Sequence, residues 1–283
     1  MTTTAQLAAP DAASALAMGR VVLTVNDLDQ VAAFYETAVG LHRLKGDGES
    51  VELGAGGTVL LELRRDAHAR RRSPKEAGLF HTAFLLPTRG DLARWTDHAI
   101  DSHTPVVGSS DHAVSEAIYL SDPEGNGVEI YADRPASEWV WQDGQVTMVT
   151  EELNFENLLT TALDGKWQGF PEGSRVGHVH LQVGALAPAE AFYAGILGFD
   201  ITCRYPGGTF YAANGYHHHL ATNIWNSRGA PLREFPSTGL AEVVIEVGPE
   251  RLAAMQARAA GKPGPSGFSV KDPWGTPILL TGL

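Results

Sequence analysis

With 283 residues, of which 43% are hydrophobic and 19% charged, the chain has the length of two average domains and the composition of a globular protein. A formal net charge of −12, with the one basic cluster from Arg64 to Lys75 diluted by Asp66, excludes a polyanion such as nucleic acid as a natural partner. The single cysteine, Cys203, excludes an intramolecular disulfide and a cysteine-rich zinc site and fits a reducing compartment, read here as the cytoplasm; eleven histidines point instead to imidazole chemistry.

Residues 1–18 are rich in Ala and Thr, lack a basic start and a long apolar core, and read as a frayed tail. No run of eighteen apolar residues occurs, so no membrane span is expected. Gly19 to Val25 alternates as a strand, and the stretch through Phe34-Tyr35 reads as an amphipathic helix capped at Gly40. A second strand, Gly78 to Leu86, is followed by a helix-like stretch, an Asp122-Pro-Glu-Gly125 turn and a last strand carrying Glu129. Residues 134–175 match nothing else in the chain; with Trp139, Trp141, Trp167 and a helix-like Glu151 to Leu163, they read as a structured connector. The pattern then repeats. Gly177-His-Val-His-Leu-Gln-Val183, Phe192-Tyr193 and Gly198 align without gaps on the first unit. Gly239 to Val247 and Asp272-Pro-Trp-Gly275 match the second. The chain is therefore four strand-helix-strand-strand-strand units of about fifty residues, two in 19–133 and two in 176–283.

The Phe-Tyr-x4-Gly helix ends and the Asp-Pro-x-Gly-Asn-Gly-Val-Glu segment from Asp122 to Glu129 resemble the vicinal-oxygen-chelate superfamily of glyoxalases, bleomycin-resistance proteins and type I extradiol dioxygenases. The resemblance covers nearly everything from Gly19 to Leu283. It implies an α+β fold in which four βαβββ modules form two cup-shaped barrel domains, with metal ligands on the first and last strands of units. The first-strand ligand position holds Arg20, His81, His178 and Glu242 in units one to four, and the last-strand position holds Glu129 in unit two but Leu279 in unit four. If units two and three pair, within one chain or between two, then His81, Glu129 and His178 meet. They form the 2-His-1-carboxylate set that leaves non-haem Fe(II) open positions for a chelating substrate and O2.

By the same resemblance His112 and Tyr119 contact the substrate, and the middle member of His217-His218-His219 is the acid-base catalyst. Period-2 alternation puts His218 on the cup side and its two neighbours on the other, and gives His180 the same face as His178. The expected activity is extradiol cleavage of an aromatic diol by O2 on Fe(II), with Mn(II) as an alternative for the same donors. Assembly into a homodimer or higher homo-oligomer is compatible with it. Two rival readings are a glyoxalase-like isomerase or lyase, which wants four protein ligands, and a non-catalytic binder of drugs or aromatics, which needs no ligand triad. A rival ligand set, Glu242 with His178 and His219, would require units three and four to pair.

Overall fold

The strands that head units two and three, Gly78–Leu85 and Arg175–Gln182, are buried along almost their whole length on both faces. Strands covered on both sides lose the polar-out alternation of a half-exposed sheet, which is why the histidines in them are buried polar groups. These two strands lie antiparallel, with His180 opposite His81. The computed structural model describes residues 15–162 and 164–283.

Two curled eight-stranded sheets result, and each is a cup built from two βαβββ units. One runs through unit three to unit two in the order Asp200–Tyr205, Gly208–Ala212, Leu220–Asn223, Arg175–Gln182, Gly78–Leu85, Gly127–Asp133, Ser115–Ser121, Gly108–Asp111. The other joins units four and one, with Leu16–Val25 antiparallel to Gly239–Val247. Each sheet thus takes one unit from either side of the connector. Among the described residues no helix is long and apolar enough to cross a membrane.

The helices of units one and three, Leu28–Phe34 with Tyr35–Val39 and Leu186–Glu190 with Ala191–Ile196, end in widened turns closed by bonds such as Gly40 N–H to Tyr35 O at 3.0 Å and Leu197 N–H to Phe192 O at 2.9 Å. The widening turns Tyr35 and Tyr193 fully inward. Their hydroxyls donate to the carboxylates of the next unit's Asp-Pro-x-Gly turn, Tyr35 to Asp122 at 3.4 Å and Tyr193 to Asp272 at 3.1 Å. Units one and two, and units three and four, are therefore tied through helix and turn, while the sheets join two to three and one to four.

Three expectations change. The first strand begins at Leu16, inside the segment read as a tail, because Leu16 and Met18 are buried opposite Val247 and Ile245; residues 1–14 lie outside the described residues. The connector helix is only Phe155–Leu159, capped by the Asn154 side chain and anchored by buried Leu158, and Leu163 is also outside the described residues. The histidine triplet precedes the strand Leu220–Asn223 in irregular backbone, so period-2 alternation does not govern it.

Candidate metal centre

Strand register brings the donors together. His178 lies beside Ala83, Ala83 beside Glu129, and Glu129 beside Tyr119, a row across four neighbouring strands on one face. Neighbouring strands are about 4.8 Å apart, so His178 and Glu129 flank the small Ala83, and His81, two residues along its strand, shares that face. His81 Nε2 is 2.9 Å and His178 Nε2 3.2 Å from Glu129 Oε2, and the two nitrogens are 3.3 Å apart. A cation bonded at about 2.1 Å would set donors about 3.0 Å apart at right angles, or about 3.4 Å apart if tetrahedral. The trio spans that range as it stands. All three residues are buried.

Burial pushes the Glu129 carboxyl up, but the His178 and His81 imidazoles outweigh it and hold the group well below the usual carboxylate range. Burial likewise lowers His178 to about 4 despite the opposing pull of Glu129. Both shifts favour the unprotonated, ligating forms at neutral pH. Imidazole and carboxylate donors without thiolate suit Fe, Mn or Zn, so the residues present fit a divalent transition metal.

The remaining candidates surround this trio. His112 Nδ1 donates to the Val149 carbonyl at 2.6 Å, which leaves Nε2 to accept the Tyr119 hydroxyl at 2.7 Å. Burial and the neighbouring Glu129 carboxylate push the Tyr119 phenol well up. His218 packs its ring 4.0 Å from that of His178, and His180 lies 4.9 Å from His81, its Nε2 accepting from Asn223 Nδ2 at 3.0 Å. His81, His112, Tyr119, Glu129, His178 and His218 all line one cavity of about 530 Å³, whose outer wall is apolar and aromatic, with Val107, Met148, Phe210 and Trp225. His217 and His219 do not line it. Neither does the rival set assemble: Glu242 stands opposite Val22 in the other sheet, where Arg20 pairs with Glu62 at 2.9 Å.

Sequence reasoning passed over the Val149 carbonyl, a backbone acceptor with no side-chain signature, and Asp133, whose Oδ1 lies 2.8 Å from His217 Nε2. Alternation from Glu129 through Tyr131 to Asp133 on one strand was the available signal for the second.

The profile of the Glyoxalase/Bleomycin resistance protein/Dioxygenase superfamily matches residues 17–130 and 175–278, leaving out only the connector and the chain ends, and the chain belongs to this superfamily. Within it, the chain is 38% identical over 271 residues to a catechol-2,3-dioxygenase of Bacillus subtilis, covering 90% of this chain and 93% of that protein. A biphenyl-2,3-diol 1,2-dioxygenase of Rhodococcus globerulus is 40% identical over 137 residues, 47% of this chain and 57% of that protein. The solved glyoxalase I of Zea mays shares the fold at a TM-score of 0.57 and 16% identity, covering 95% of this chain and 93% of that one. The fold is thus common to different chemistries, and the site has to discriminate among them.

Proposed function

We propose that the protein is a metal-dependent extradiol dioxygenase that opens a catechol-type ring with O2, a step in the breakdown of aromatic compounds. Fe(II) would be held by His81, Glu129 and His178, with Mn(II) suited to the same donors. The observation that carries this reading is the buried two-histidine, one-carboxylate trio at the base of an apolar cavity, at metal–ligand spacing. When bound, a ferrous ion held by these three residues would supply open coordination positions for a chelating diol and O2 and a route for electrons between them.

The chain's own residues do the rest. The Tyr119 proton is committed to His112, so its oxygen turns a lone pair to the cavity and accepts a hydrogen bond from a diol hydroxyl. His218, whose ring faces the cavity beside His178, takes a proton from the diol and returns one to the opened product, an acid-base contribution of about 10²- to 10⁴-fold. The apolar outer wall excludes water and accepts the ring's hydrocarbon edge.

Reconstitution of the metal-free protein with Fe(II) under argon, followed by catechol and air, tests this. A yellow ring-fission product is expected from the wild type and is expected to vanish, together with bound iron, in His81→Ala, Glu129→Ala and His178→Ala. Variants that keep full iron content and activity would rule the trio out, and tight binding of Zn without ring cleavage would move the protein to the isomerase or lyase class.

A further inference from the structure

Behind His218 the chain carries polar groups that the proposed reaction does not use. His217 is fully buried, its Nδ1 lies 2.7 Å from His218 Nδ1, and its Nε2 lies 2.8 Å from Asp133 Oδ1. The Tyr216 hydroxyl donates to the other Asp133 oxygen at 2.9 Å and lies 2.9 Å from the Tyr131 hydroxyl. Trp139 and Tyr216 flank the His217 ring at 5.0 and 4.1 Å between centroids, and its carbonyl accepts from Thr202 Oγ1 at 2.5 Å. The ring is thus fixed in position from several sides.

The direction of each bond follows from what each group can do. An ionised carboxylate only accepts, so His217 Nε2 carries the proton it gives to Asp133. A neutral imidazole protonated at Nε2 has a bare Nδ1, which accepts, so the proton in the 2.7 Å contact belongs to His218 Nδ1. Neutral His218 then has a bare Nε2. We propose that His217 and Asp133 are positioning residues that hold His218 with its proton on Nδ1, leaving the Nε2 lone pair to act as a base. The inference rests on the dioxygenase reading for what that base acts upon, but not for the tautomer itself. It also assigns a task to each of the three consecutive histidines: His218 lines the cavity, His217 orients it, and His219 accepts from the Ala213 N–H at 3.3 Å.

The experiment is nitrogen-15 NMR of histidine-labelled, metal-free protein, paired with kinetics of the iron-loaded enzyme on catechol. Wild-type His218 is expected to show a protonated Nδ1 and a bare Nε2, and to lose that pattern in His217→Leu and in Asp133→Ala. Loaded with iron, both variants are expected to lose kcat by about 100-fold with KM and iron content within about twofold. His217→Gln, whose amide oxygen and NH2 reproduce the acceptor and donor, is expected to recover about tenfold of the loss. A wild-type His218 protonated at Nε2 would overturn the proposal, as would kcat within about twofold of wild type in both variants. Asp133 lies at the partly exposed cup edge, so its variant serves if His217→Leu does not fold. Should the wild type cleave no diol, the dioxygenase reading fails while the spectrum still decides the tautomer.

Discussion

Gly177 precedes His178 at an irregularity in the pairing of their strand with Gly78–Leu85, and a Cβ there would fall 1.8 Å from the Tyr131 hydroxyl oxygen. The bare backbone lets the Tyr131 ring lie 5.0 Å from His178 and support it from beneath. Gly177→Ala is therefore expected to destabilise the fold by about 1–3 kcal/mol, the usual effect of overpacking, and to weaken metal binding by displacing His178. Denaturant unfolding and a metal titration on the same variant check both. Tyr119→Phe removes only the hydroxyl between His112 and the cavity, so it should retain metal while kcat falls by about ten- to a hundredfold. His81 and His178 were legible in the sequence because they occupy equivalent places in a repeat, where the other two units carry Arg20 and Glu242. The contact between Asp133 and His217 was not, since they are 84 positions apart and only the fold brings them together.

The tyrosine-to-turn ties can be compared directly. Asp122 keeps contacts from Asn126 Nδ2 and two backbone N–H groups if Tyr35 loses its hydroxyl. Asp272 would keep only backbone bonds to Trp274 and Thr276, both on its other oxygen, if Tyr193 lost its own. Tyr193→Phe is thus expected to cost about 1–3 kcal/mol, and more than Tyr35→Phe, in urea unfolding followed by circular dichroism. These hydroxyl ties are not legible in the sequence, because a buried donor and a buried apolar ring leave the same period in a helix. The βαβββ order of every unit was legible from alternation and the paired Asp-Pro-x-Gly turns. The irregular triplet before Leu220 was not, because three histidines in a row look alike in strand and loop.

Taken over the whole molecule, the buried histidines make stability depend on pH. Burial lowers His178 to about 4 and His219 to about 3, and pushes His180 and His218 well down. Each stays neutral in the fold but takes a proton in the unfolded chain near pH 6.5, so its contribution is complete above about 6.5 and is lost as pH falls toward the folded value, at about 1.4 kcal/mol per pH unit per group. Glu129, held low by its histidines, adds a loss in the same direction below the usual carboxylate range, while the carboxyls of Asp122 and Asp272, raised by burial, oppose part of it. The urea midpoint of the metal-free protein is expected to fall steeply from pH 7 to pH 5; a flat or rising midpoint would contradict this. The crossed arrangement of units also governs how the chain must be made. As it leaves the ribosome, Leu16–Val25 and Gly78–Leu85 emerge long before Gly239–Val247 and Arg175–Gln182, and His81 precedes its partner His178 by 97 positions. Until then the leading half is a nascent segment with open strand edges, and it is this half that most needs shielding from aggregation.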